Sequence, residues 1–213
     1  MKLLFQGDSI TDGNRYKDPA SRWDKNHQIG HAWPYIVTGS LMCRFPGRFD
    51  CVNRGVSGNN VLSLRERWQE DALDEHPDVM LLLVGVNDAH AAADGRMTRE
   101  DYPRVYRELL DALLRENPAV RFVLLEPFLI RDDEKITEIL TGMRAEAREI
   151  AGEYGAVFVP LQEEFDAMAA RDGAAYWLWD GVHPTEAGHY LIARKVLACA
   201  GDLLGVGEEA RLP

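Results

Sequence analysis

The sequence predicts an α/β fold, a parallel sheet with right-handed crossovers and helices on both faces. Three observations predict it. Short apolar runs alternate with longer amphipathic stretches along the whole chain. The strongest run, Val79-Met80-Leu81-Leu82-Leu83-Val84, is continuously apolar, as in a strand covered on both faces. Several runs also end in small polar turns, which a parallel sheet would gather along its carboxyl edge, where open α/β folds bind ligands.

Lys2 to Gln6 is the first strand, too short for a helix that could stand alone. It ends in Gly7-Asp8-Ser9. Residues 12–31 lack periodicity and read as a long irregular loop carrying Tyr16 and Trp23. Ala32 to Phe45 has helical spacing, with Trp33, Ile36, Val37, Leu41 and Met42 on one stripe, and Pro46-Gly47 stops it. Arg48 to Asn53 is the second strand, followed by the glycine-rich turn Arg54 to Asn60. Val61 to Glu75 reads as one helix. Asp78 to Val84 is the third strand and runs into Gly85-Val86-Asn87-Asp88. Residues 89–97 read as a connection, and Thr98 with Asp101 can cap a helix that continues to about Glu116. Val120 to Leu125 is the fourth strand, Glu134 to Tyr154 a charged helix, and Ala156 to Val159 the fifth strand. A short helix over Leu161 to Ala170, a loop over Gly173 to Pro184 and a last helix from Thr185 to Leu204 complete the chain before a polar tail. No internal repeat or linker interrupts this order, so residues 1–213 are expected to form a single domain.

A net charge of −11 disfavours nucleic acid or an anionic membrane as partner, since both call for basic patches. The three cysteines, Cys43, Cys51 and Cys199, match no metal spacing and suit reduced thiols. Nothing resembles a signal peptide, and the longest apolar run is well short of a membrane span, so a cytoplasmic location is expected. Oligomeric state is left open.

Three strand ends could bring together a serine (Ser9), a glycine N–H (Gly55) and an asparagine amide (Asn87). Acyl transfer needs that set: a nucleophile, and preorganised donors for the oxyanion that develops. A serine hydroxyl also needs a base. His183 is the best candidate among the histidines, because Asp180 lies three residues upstream in the same loop and could orient its ring. Pro184 disfavours a helical backbone at His183 and projects it from the helix start. Gly55-Val56-Ser57-Gly58 nearly fits a Gly-x-Ser-x-Gly elbow, but its last glycine comes one residue early, so Ser57 is read as structural. No phosphate loop, dinucleotide fingerprint or zinc motif occurs, and neither metal nor cofactor is expected.

Taken in order, Gly7-Asp8-Ser9, Gly55, Gly85-Val86-Asn87-Asp88 and Asp180-Gly181-Val182-His183-Pro184 resemble the four blocks of the SGNH, or GDSL-type, hydrolases. The resemblance implies a flavodoxin-like three-layer α/β/α sandwich with a five-stranded parallel sheet. It implies Ser9 as nucleophile, His183 as base and Asp180 as its orienter, with the N–H groups of Ser9 and Gly55 and the side chain of Asn87 as oxyanion donors. Ile10 stands where many members have leucine. Longer stretches, among them Asn53 to Asn59, Arg67 to Asp71, Glu126 to Ile130 and Trp179 to His183, are similar to the intracellular acetylxylan esterases and related carbohydrate acetylesterases. An acetylated carbohydrate is then the expected small-molecule partner. Tyr16, Trp23, Trp177 and Trp179 are candidates to stack on a sugar, though aromatic residues also seal loops against a core. Two alternatives stand beside this one: a lysophospholipase or thioesterase for longer acyl chains, and a non-catalytic carbohydrate-binding relative.

Overall fold

The computed structural model describes residues 1–18, 25–131, 133–207 and 212. In chain order the elements are β1 (Lys2–Gly7), α1 (Ser9–Asp12), α2 (Lys25–Ile29), α3 (Trp33–Arg44), β2 (Asp50–Asn53) and α4 (Val61–Glu66). A π-helical turn (Gln69–Leu73), β3 (Val79–Leu83), α5 (Val86–Ala93), α6 (Asp101–Glu116), β4 (Arg121–Leu125) and α7 (Glu134–Glu153) follow. The described chain closes with β5 (Val157–Val159), α8 (Gln162–Asp172), α9 (Ala174–Trp177) and α10 (Glu186–Ala200).

The strands form one five-stranded sheet in the order β2-β1-β3-β4-β5, with every neighbouring pair parallel. That is the flavodoxin-like order. All five residues of β3 are buried, on both sides of the pleat, so both faces of the sheet are covered at its centre. Helix α3 packs on α10, while α4, α6, α7 and α5 pack on one another in a second group. The core is tight where β1 meets α3: Phe5 meets Trp33 edge to face at 5.2 Å, and both are fully buried.

The sheet order decides where a site can form. Between β1 and β3 the direction of winding reverses, and in open α/β sheets ligands bind at the carboxyl edge by such a switch point. Gly7 ends β1 with φ of +150°, and a Cβ there would lie 2.2 Å from the Leu83 carbonyl oxygen of β3. Only glycine lets the two strand ends run this close before the chain turns into α1.

Four parts of the chain differ from the sequence reading. Residues 89–97 are not all connection, because α5 spans Val86–Ala93. It is eight residues long, alanine-rich and without a side-chain cap, so neither a period nor a start signal shows. The single helix expected over Val61 to Glu75 is broken near Arg67 into α4 and the π-helical turn. The irregular loop over residues 12–31 contains α2, just after α1 ends at Asp12, and the loop expected over Gly173 to Pro184 contains α9; all three helices are too short to carry a periodicity.

Candidate active site

The three strand-end turns meet at the carboxyl edge of the sheet. Asp8 caps α1 by accepting the Ile10 N–H at 2.9 Å, so Ser9 occupies the first position of a helix. Asn53, at the end of β2, donates to the carbonyls of Thr11 (2.7 Å) and Ile29 (2.8 Å), tying the second turn to α1. Ser57 donates to Asp12 Oδ2 through both its N–H and its hydroxyl, each at 2.9 Å. Its hydroxyl is therefore spent on bracing, as the incomplete elbow motif suggested.

His183 arrives from the far end of the chain. Asp180 Oδ1 accepts the N–H groups of Val182 (2.9 Å) and His183 (2.7 Å), which folds residues 180–183 into a tight turn. Thr185 then caps α10 by accepting from the Gly188 N–H at 3.3 Å. The result is a chain of contacts between side chains 174 residues apart: Ser9 Oγ lies 2.9 Å from His183 Nε2, and His183 Nδ1 lies 2.7 Å from Asp180 Oδ2. Burial works to raise the Asp180 pKa, but the hydrogen bonds from the His183 N–H, its ring and the Val182 N–H outweigh it and hold the carboxyl below its usual range. An ionised carboxylate on one ring nitrogen leaves the other free to take a proton from the serine. His189, six residues on, is pushed down to about 4 by burial and stays neutral.

Two carboxyls beneath the site behave differently. Burial raises Asp8 to about 7, against the Ile10 N–H and the charge of His183. Burial likewise raises Asp88 to about 7, and Asp8 adds to the effect. Asp8 Oδ2 also accepts a hydrogen bond from the Asn87 Nδ2, at 3.4 Å. That nitrogen donates more closely to the Asn59 carbonyl, at 3.0 Å, so the long bond to Asp8 is the one a bound oxyanion would displace.

Gly55 is the point at which the structure corrects the expected set of donors. Its N–H is bonded to Asn53 Oδ1 at 2.8 Å, and its carbonyl accepts from Arg15 Nε at 2.8 Å. It is glycine for another reason: a Cβ there would lie 2.5 Å from the Asp12 nitrogen. The free donor in this turn is three residues on. Among the described residues the N–H of Gly58 has no hydrogen-bond partner, and neither has that of Ser9. The Asn59–Asn87 hydrogen bond holds the Gly58 turn against Asn87. The sequence signal for Gly58 was its place in Gly55-Val56-Ser57-Gly58, which the near-miss elbow motif absorbed.

The aromatic candidates divide. Trp179 stacks on the His183 ring at 5.6 Å and 22° and is 64% exposed, so its outer face is open beside the reacting groups. Trp177 packs against the core with a buried Nε1 and is a wall of the loop, not a platform. Tyr16 lines a cavity of about 200 Å³ with Arg15, Arg54 and Glu75 along β2, and Ser9, Asn87 and His183 are not among its walls. Trp23 lies outside the described residues. No cluster of three metal-ligating side chains occurs among the described residues, and no helix among them is long and apolar enough to cross a membrane.

A doubly wound parallel sheet with a Ser-His-Asp chain at its carboxyl edge has the architecture of a carboxylic ester hydrolase, and the comparisons with known proteins agree. Residues 5–191 match the model of the GDSL-like lipase/acylhydrolase family, and the chain belongs to that family. It is 32% identical over 205 residues to an acetylxylan esterase of Geobacillus stearothermophilus, covering 92% of each chain. A crystal structure of a catalytic mutant of that species' acetylxylan esterase superposes with a TM-score of 0.82 at 30% identity, over 100% of this chain and 96% of the other. A Parabacteroides merdae protein described as a GDSL-like lipase superposes with a TM-score of 0.87 at 36% identity, over 94% and 95% of the two chains.

Proposed function

We propose that the protein is a serine esterase that removes acetyl groups from a small carbohydrate ester by way of an acyl-enzyme. The observation that carries the reading is the unbroken contact Ser9–His183–Asp180, at 2.9 and 2.7 Å. Ser9 Oγ attacks the acetyl carbonyl while His183 Nε2 takes its proton. The oxyanion is held by the Asn87 amide and by the free N–H groups of Ser9 and Gly58. The tetrahedral adduct collapses, His183 gives its proton to the departing sugar oxygen, and Ser9 is left acetylated. Water then attacks with His183 again as base, releasing acetate and restoring the serine.

The carbohydrate part of the proposal is supported by the acetylxylan esterase relatives and by Trp179, whose exposed face offers a sugar ring a platform next to the base. An intracellular site of action fits three cysteines that form no disulfide, with Cys43 exposed. The test compares acetylated xylo-oligosaccharides with simple esters of increasing acyl length. The expected result is turnover of the acetylated sugars and a steep fall beyond two or three carbons. A rising rate with acyl length would replace the acetylesterase with a lysophospholipase or thioesterase. A folded protein that a serine-directed fluorophosphonate fails to label would replace it with a non-catalytic relative.

Asn87→Ala tests the oxyanion assignment separately. It should lower kcat by about 10²–10³ with little change in KM, since the lost interaction strengthens only as the oxyanion forms. An unchanged kcat would remove Asn87 from the mechanism.

A further inference from the structure

Arg67 bonds directly to two of the three turns around Ser9, those after β1 and β2, and is linked to the third through Asn59. Its Nε donates to Asn59 Oδ1 at 2.6 Å. One terminal nitrogen donates to the Arg54 carbonyl (2.7 Å) and to Asp71 Oδ2 (2.8 Å). The other donates to Gln6 Oε1 (2.8 Å) and to the Gly7 carbonyl (3.3 Å). These five bonds account for the full donor capacity of a guanidinium. The side chain is only 17% exposed. Gly7 belongs to the turn that delivers the Ser9 N–H, Arg54 opens the turn that carries Gly58, and the carbonyl of Asn59 holds the Asn87 amide.

The local backbone is shaped for this. Helix α4 stops at Arg67, whose φ and ψ are −111° and 8°, and a π-helical turn begins two residues later. The break interrupts what periodicity predicts to be a continuous helix, and Asp71 in that turn pairs with the guanidinium at 2.8 Å. Interruptions of this kind recur at functional sites.

We propose that Arg67 is a positioning residue of the oxyanion hole, fixing the Ser9, Gly58 and Asn87 donors relative to one another through Gly7, Arg54 and Asn59. The proposal rests on the esterase reading of Ser9 given above. Arg67 touches no reacting atom. Its effect is geometric, and displacements of about 1 Å at a remote support can cost on the order of 10² in rate.

Arg67→Lys keeps the charge but replaces a planar five-donor fork with one ammonium, which cannot hold Gly7, Arg54 and Asn59 at once. The measurement is kcat per active site, with sites counted by the end point of fluorophosphonate labelling. The expected result is a fall of about 10–100-fold in kcat per labelled site, KM within about threefold, and an unshifted acid limb of the kcat/KM profile, because His183 is untouched. Combined with Asn87→Ala, the penalty of Arg67→Lys should shrink, since part of what it positions is already gone. A merely structural arginine would lower the melting temperature and the number of labelled sites while leaving turnover per site at the wild-type value, and that outcome overturns the proposal. If Arg67→Lys does not fold, Asn59→Ala cuts only the bond from Nε and should lower kcat per site in the same way, by about threefold or more; wild-type turnover per site in that variant would likewise overturn it. The two readings fail differently. Absence of Ser9 labelling in the folded wild-type protein removes the esterase assignment itself, whereas normal labelling with normal turnover per site in the Arg67 and Asn59 variants removes only the role given to Arg67.

Discussion

Replacing Ser9 by alanine should abolish ester hydrolysis, with kcat falling by about 10⁶, while leaving the fold intact. The two halves of that expectation have separate causes. The Ser9 hydroxyl makes one side-chain contact, to His183 Nε2 at 2.9 Å, so its loss strips no support from the sheet. The cap of α1 belongs to Asp8, through the Ile10 N–H, and alanine suits the first turn of a helix. The chemistry has no such reserve. Ser57, the nearest serine in the sequence reading, is bound to Asp12 by both its N–H and its hydroxyl and cannot stand in. A purified Ser9→Ala protein assayed on an acetyl ester, with its melting temperature beside that of wild type, checks both halves. Retention of more than about one-tenth of the wild-type rate would show that Ser9 is not the nucleophile.

Much of this was legible in the sequence because the fold writes itself in local patterns. A short, continuous apolar run such as Val79 to Val84, bounded by turn residues, reads as a strand covered on both faces, and the polar turns after such strands share one edge in any parallel sheet. The pairing of Asp180 with His183 was legible because they lie three residues apart in one short turn, which Asp180 itself closes through the Val182 and His183 N–H groups. What escaped depends on contacts that cross turns. Whether Gly55 or Gly58 offers a free N–H is decided by Asn53, whose side chain folds back on Gly55, and two glycines three residues apart in one turn look alike until that bond is seen. The role of Arg67 is hidden more deeply. In a helical pattern an arginine four residues before Asp71 reads as a solvated ion pair. Only the break in the helix turns it inward to the carbonyls of Gly7 and Arg54.

Asp180→Asn should lower kcat by about 10⁴ with a small change in stability, and the turn around Asp180 explains why both should hold together. Asp180 Oδ1 accepts two backbone N–H groups, from Val182 at 2.9 Å and His183 at 2.7 Å. An asparagine keeps that turn only if its carbonyl oxygen takes the Oδ1 position, because an amide NH2 cannot face two further donors. Its NH2 must then occupy the place of Oδ2, 2.7 Å from His183 Nδ1. A donor there requires Nδ1 to be unprotonated, so the ring proton moves to Nε2. Nε2–H now points at Ser9 Oγ and can give a proton but not take one. The base is lost although every heavy atom stays in place, and the positive charge that would form on the ring has lost its partner. Asp180→Ala is the less informative change, because it also removes the two bonds that shape residues 180–183. The decisive measurements are kcat and melting temperature for Asp180→Asn. A variant that melts with wild type and keeps more than about one-tenth of its kcat would show that His183 does not depend on Asp180 for its tautomer, and the Ser9–His183 pair would have to be read as a dyad.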